Sequence, residues 1–325
     1  NPLSRSDYLK RPREQLLDCA TANVERYRVA GITTIRDAGD IHGINQELRD
    51  RFAGSGNRII AAGAGLRKAK RYGSFFAHEI EAYDSLAAAV SARAKQSDEI
   101  KIVLTGIIDF ENGIVKGEPQ FTLSETQEIV TTAHDLGLRV FAHCSGLDGL
   151  RIAVDAGVDS IEHGFFMNRE ILDTMAEKKL AWTPTLLPVH VQWAHPEYCG
   201  WSPSTVDKLR GILENHAQML VEAEAKGVTI LAGSDAGSYG VRHAEGLIAE
   251  AALLRRTGLR RETALCSVTS APRKHLGLSP LLVAPGQPAE FMVFADGIDS
   301  VFGAEETYFR AWTTHPVTPI SGRAT

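Results

Sequence analysis

The chain has 325 residues, of which 44% are hydrophobic, 23% charged and 7% aromatic. That composition excludes a disordered or collagen-like polypeptide and suits one large domain or two ordinary ones. Lys and Arg number 35 against 40 Asp and Glu, a formal charge of −5, which leaves no electrostatic case for nucleic acid or a membrane surface as partner.

A polar opening leads into an amphipathic helix expected over Arg13–Val29. Short β-branched runs then predict strands at Ile32–Ile35, Arg58–Ala62, Ile100–Thr105, Leu138–Ala142, Val158–Glu162, Ala181–Leu186 and Val228–Gly233. Apolar residues three and four apart predict helices between them, at Leu86–Ala94, Ser124–Asp135, Leu147–Ala156, Asn168–Glu177, Thr205–Ala225 and Ala244–Arg256. This alternation is the signature of βα units around a parallel sheet. Four helices end in a glycine just before a strand, at Gly31, Gly137, Gly157 and Gly227, as a left-handed C-cap requires. Ser124 with Gln127 fits a capping box.

Seven strands are visible, whereas a closed (β/α) barrel has eight. The helix at Arg13–Val29 would normally follow a strand, so the expectation is that the first strand lies upstream of Asn1. No Gly-rich loop joins a strand to a helix, which disfavours the doubly wound alternative. The barrel is expected over residues 1–278. From residue 279 the pattern changes: a turn at Pro285–Pro288, a strand-like run at Ala289–Ala295 and another at Tyr308–Thr313 predict a small β appendage. No apolar run approaches the roughly 20 residues of a membrane span. The four cysteines form no C-x-x-C pair, which argues for a reducing compartment and a cytoplasmic location.

Polar residues on strands that should be buried are the candidates for chemistry. Lys101 lies inside Ile100–Thr105, where a charged ammonium is costly unless paired or altered. His143, His163 and Asp235 each follow a predicted strand, and catalytic groups of barrel enzymes come from the C-terminal ends of different strands. Imidazole and carboxylate are ordinary ligands of zinc and similar divalent ions. Arg36 and Asp37 could face the site or form a structural ion pair. Tyr239, Arg242 and His243 lie in the loop after Asp235, within reach of a substrate. The basic run Arg67–Tyr72 reads either as a solvated loop or as a clamp for a substrate carboxylate.

Gly31–Asp37, Ile100-Lys-Ile102, Phe141-Ala-His-Cys-Ser-Gly146, Asp159-Ser-Ile-Glu-His-Gly164, Ala232-Gly-Ser-Asp-Ala-Gly237, Ala271–Leu278 and Pro285–Glu290 together resemble the amidohydrolase superfamily. The branch they resemble contains imidazolonepropionase-like and Xaa-Pro dipeptidase-like hydrolases. The resemblance implies a TIM-like barrel with a β-sandwich appendage, whose C-terminal part would be residues 279–325. It implies one or two divalent ions, zinc by default, held by a carboxylated Lys101, by His143 and His163, and by Asp235. Asp235 would also shuttle the proton between the attacking water and the leaving amine. Relatives carry a His-x-His pair on the first strand; none occurs here, in keeping with an unrepresented strand. Ser145 stands where many relatives have a second histidine that touches substrate.

The expected reaction is hydrolysis of a C–N bond in an amide, dipeptide or cyclic amide. The substrate is a small molecule, and the protein could self-associate. The same site would serve a lactone, carbamate or phosphotriester. A metal-poor binding protein is the competing reading from another class.

Overall fold

The computed structural model describes residues 8–286, 290–294 and 297–303. Its strands are β1 (Thr34–Asp37), β2 (Arg58–Ala61), β3 (Gly65–Arg67), β4 (Ala77–Glu79), β5 (Ile100–Val103), β6 (Ile108–Asp109), β7 (Ile114–Val115), β8 (Val140–Cys144), β9 (Ser160–His163), β10 (Ala181–Thr183) and β11 (Thr229–Ile230). The α-helices are α1 (Arg13–Val29), α2 (Ile44–Arg51), α3 (Leu86–Ala94), α4 (Leu123–Asp135), α5 (Leu147–Ala156), α6 (Arg169–Lys178), α7 (Leu187–Ala194), α8 (Pro196–Cys199), α9 (Pro203–Lys226), α10 (Glu245–Arg256), α11 (Arg261–Ser267) and α12 (Ser270–His275).

Seven strands form one sheet in the order β11-β10-β9-β8-β5-β3-β4, and every pairing in it is parallel. β1 pairs with β2, also in parallel. β2 and β3 are separated only by Ala62, Gly63 and Ala64, so one stretch of chain carries the pairing from β1 on to β5. Helices return between most of the paired strands, and the whole is a TIM-like (β/α) barrel. Among the described residues no pairing joins β11 to β1. That seam is bridged by side chains: Arg26 of α1 pairs with Glu245 of α10 at 3.0 Å, and the Tyr27 ring meets His243 edge-on at 5.9 Å.

The main core lies between sheet and helices. Leu66, Ile100, Ile102, Val140, Ala142, Ile161 and Trp182 from the strands meet Val90, Ile129, Leu150, Ile171, Leu220 and Leu254 from the helices, all at most 1% exposed. α1 and α2 form a smaller cluster of their own, through Leu16, Leu17, Val24, Ile44 and Leu48. The glycine stops hold: Gly157 and Gly227 cap α5 and α9 at φ +79° and +77°. The capping box of α4 sits two residues earlier than the sequence suggested. Thr122, not Ser124, accepts from the Glu125 amide, and Glu125 returns the bond to the Thr122 amide.

Several strand bounds move. The run at Arg58–Ala62 becomes β2, with β3 and β4 added after it, and Ile108–Val115 forms a short antiparallel hairpin, β6–β7. The runs Leu138–Ala142 and Val158–Glu162 shift about two residues toward the C-terminus, so His143 and His163 lie within their strands. The chain after β10 is helical from Leu187. Residues 290–294 carry no strand. The remainder of the expected strand at Ala289–Ala295, and all of Tyr308–Thr313, lie outside the described residues. No helix among the described residues is long and apolar enough to cross a membrane. All four cysteines are free thiols.

Candidate active site

Register decides which side chains meet. β5 and β8 pair Lys101 with Phe141 and Val103 with His143; β8 and β9 pair Phe141 with Ser160 and His143 with Glu162. β9 and β10 pair Glu162 with Thr183. Side chains alternate along a strand, so Lys101, Phe141, His143, Ser160, Glu162 and Thr183 share the barrel interior. The Lys101 Nζ sits 4.5 Å from the centre of the Phe141 ring.

His143 and His163 meet edge to face, with ring centres 4.6 Å apart. His143 Nε2 lies 3.4 Å from the Gly106 carbonyl, and His163 Nδ1 lies 2.7 Å from the Thr185 hydroxyl. A carbonyl only accepts, so this contact is a hydrogen bond when the His143 proton sits on Nε2, which leaves Nδ1 bare. Burial, then the charges of His163 and Lys101, hold His143 well below the usual imidazole range. Burial and Lys101 push His163 down to about 3. Both rings are therefore neutral near pH 7, the form that ligates a metal.

Burial pushes Lys101 down to about 8, against the pull of Glu162. Asp235 acts electrostatically on both Lys101 and His143, so the structure brings the four expected ligands into one neighbourhood. They are not equally built. Asp235 is exposed, with φ +48°, and its carboxylate accepts from Ser238 Oγ at 2.5 Å. Among the described residues no three His, Cys, Asp or Glu side chains are grouped to hold a metal. The donor chemistry still suits one. Two neutral imidazoles in contact, each with its second nitrogen anchored, are the usual protein contribution to a divalent site, and Lys101 adds a buried amine beside them.

Beneath this group lies an ion-pair network that spacing does not reveal. Arg36 of β1 reaches Glu162 at 2.5 Å and Glu99 at 3.8 Å and stacks on Phe141 at 4.2 Å. Glu162 also accepts from Ser160 and Thr183. Burial alone would raise the Glu162 carboxyl, but Arg36, Lys101 and Ser160 together bring it below the ordinary value. The candidate substrate residue Arg36 thus has its guanidinium committed inside the barrel. The signal available in sequence was a glutamate within a buried strand, beside a histidine.

The other candidate substrate contacts also have local partners. Ser145 is 3% exposed; its amide donates to Thr105 Oγ1 and its hydroxyl accepts from the Phe165 amide. Tyr239 is half exposed and donates to the Tyr198 carbonyl at 2.9 Å. His243 packs on Tyr27, and burial, then Arg26, pushes it down to about 4. The basic run is not a free clamp. Arg67 is buried and paired with Glu79 at 2.8 Å, and Lys68 pairs with Glu125 at 2.6 Å. That run does deliver Tyr72, whose ring lies 5.2 Å from His143.

Three non-glycine residues at the C-terminal ends of adjacent strands have left-handed backbones: His163 (φ +70°), Thr185 (φ +49°) and Asp235 (φ +48°). Such strain collects at functional sites. Next to His163, Gly164 has φ +69°, and a Cβ there would lie 2.5 Å from the Trp182 indole nitrogen. That indole donates to the His163 carbonyl at 2.9 Å. Gly164 thus lets Trp182 fix the backbone beside the histidine.

Comparison with known proteins gives the family and the fold. The sequence pattern of the amidohydrolase family matches residues 14–318. An uncharacterised protein of Mycobacterium tuberculosis is 32% identical over 267 residues, 80% of this chain and 69% of that protein. The structure of a Xaa-Pro dipeptidase with methionine bound in its active site superposes with a TM-score of 0.68 at 28% identity, over 83% of this chain and 70% of that one. Aspergillus niger ochratoxinase is 29% identical over 121 residues, 37% of this chain and 25% of that enzyme. The chain belongs to the amidohydrolase family and is a hydrolase of carbon–nitrogen bonds.

Proposed function

We propose that the chain hydrolyses an amide bond in a small dipeptide-like or cyclic substrate, with a divalent ion, zinc by default, at the strand ends. The observation that carries this reading is the contact between His143 and His163, with their second nitrogens anchored by Gly106 and Thr185. His143 Nδ1 and His163 Nε2 would hold the ion, joined by Asp235 and by Lys101 once its amine has taken up carbon dioxide as a carbamate. When bound, such an ion polarises the scissile carbonyl and acidifies water.

The chain's own residues supply the rest. Lys101 must lose its proton before its amine can react, and burial favours that loss. Asp235, exposed and bonded by Ser238, would take a proton from water and return it to the leaving amine nitrogen. Glu162, fixed by Arg36, keeps negative charge under Lys101. A dipeptide fits the likeness to the Xaa-Pro dipeptidase.

The test is metal analysis of purified protein, with activity assayed on Xaa-Pro dipeptides, N-acyl amino acids and lactones. One or two equivalents of metal and turnover of an amide would support the proposal. Metal with turnover of lactones alone would move the assignment to ester chemistry. No metal and no turnover after growth with added zinc would overturn it.

A further inference from the structure

The segment between β10 and α7 carries no residue that the sequence marks out, yet buried side chains from two helices bond its backbone. Its centre is Thr185, a β-branched residue at φ +49° and 4% exposed. A β-branched side chain there is a genuine outlier, and its cost persists only where the surroundings enforce it. Two fully buried side chains do so. His216 of α9 lies 3.1 Å from the Pro184 carbonyl through Nε2, with its ring stacked on Phe165 and edge-on to Trp182. Glu250 of α10 accepts the Leu186 amide on one carboxylate oxygen and the Leu187 amide on the other, both at 2.8 Å. Polar contacts from two helices thus clamp the residues on either side of Thr185. A hydroxyl with no purpose would not need this; glycine would take the same backbone without strain.

The Thr185 hydroxyl lies 2.7 Å from His163 Nδ1. We infer that Thr185 is a positioning residue, clamped by His216 and Glu250 so that its oxygen accepts the His163 Nδ1 proton and leaves Nε2 bare. The inference rests on the proposed role of His163 as a metal ligand. A hydroxyl can also donate, and donation to Nδ1 would put the proton on Nε2 and close that nitrogen to a metal. His143 needs no such device, because the Gly106 carbonyl can only accept. The two rings therefore reach complementary states by different means: Nδ1 is bare on one and Nε2 on the other.

The test reads the tautomer directly. Protein labelled with nitrogen-15 in histidine, kept metal-free, would be examined by long-range proton–nitrogen correlation, with the His163 signals assigned by their loss in His163→Gln. The expected result is a protonated Nδ1 on His163 in the wild type. Thr185→Ser should retain it. Thr185→Gly removes the hydroxyl while relieving the backbone, so it should fold at least as well yet shift His163 toward the Nε2-protonated form. Zinc titration of the same proteins should show about a 10- to 100-fold loss of affinity in Thr185→Gly, restored in Thr185→Ser.

A wild-type His163 protonated on Nε2 would overturn the inference, as would an unchanged tautomer in Thr185→Gly. A purely structural Thr185 would give that unchanged tautomer. The expected tautomers in a protein that takes up no zinc would leave the positioning intact and remove the metal reading instead.

Discussion

The site has two sides built to different standards. On the β8–β10 side, His143 and His163 are held in contact, each with one ring nitrogen hydrogen-bonded, with Trp182 and the Thr185 segment behind them. On the β11 side, Asp235 is exposed, and its carboxylate is bonded by a neighbour three residues away. A group that must hold an ion gains from rigidity, because ligand geometry sets affinity. A group that must take a proton from one atom and give it to another gains from freedom to swing. The contrast between the two sides is what a division between holding and shuttling requires.

That contrast can be broken most sharply at the imidazoles. His143→Ala or His163→Ala should remove both bound metal and turnover, read by elemental analysis and steady-state kinetics. Retained metal in either variant would place the ion elsewhere. Asp235→Asn should keep metal on the imidazole side while lowering kcat by about 10²- to 10⁴-fold, with KM little changed. Equal loss of metal in Asp235→Asn and His163→Ala would erase the distinction between the sides.

The support beneath the imidazoles is also testable. Arg36→Met strands Glu162 and Glu99 in the barrel and should cost about 3–5 kcal/mol in urea unfolding. Unchanged stability would show that water reaches that network.

His216 gives a pH signature to the rigid side. Burial pushes its imidazole down to about 3 from an ordinary 6.5. The unfolded chain therefore takes up this proton first as pH falls. The stabilisation is complete above about 6.5 and is lost toward 3, at up to about 1.4 kcal/mol per pH unit. The urea midpoint should drop between pH 7 and pH 4.5, and less steeply in His216→Phe. Parallel curves for the two proteins would exclude His216 as a cause. The smallest effect belongs to the loose side: Ser238→Ala should lower kcat by only about 5-fold, one hydrogen bond's worth. A collapse of activity there would mean that Asp235 is as tightly held as the imidazoles.

What sequence could and could not reveal follows the same division. The βα alternation, the glycine stops and the histidines at strand ends are local signals, written in periods of two and three to four residues. They place His143, His163 and Lys101 on the right strands. Partners from far along the chain have no such period. Glu250 reaches Leu186 across 64 residues, and Arg36 reaches Glu162 across 126. Arg36 therefore reads equally as a substrate contact or a structural ion pair, while Thr185 reads as part of an ordinary strand. The basic run stays open between a solvated loop and a carboxylate clamp for the same reason, since Glu79 and Glu125, which pair with Arg67 and Lys68, lie elsewhere in the sequence. Exact strand bounds depend on pairing, and pairing is not a local property either.

The seam between β1 and β11 bears on how the chain folds. Its contacts join residues more than 200 positions apart: Arg26 with Glu245, and Tyr27 with His243. Closing so large a loop is entropically expensive and brings little burial until neighbouring layers exist. Strand pairing from β5 to β10 is far more local, so it can assemble first and offer a template. The seam would then form late and open early. Amide exchange should be fastest along α1 and the Ser234–Ala244 loop, making the Asp235 edge of the candidate site also the edge at which the native state first comes apart.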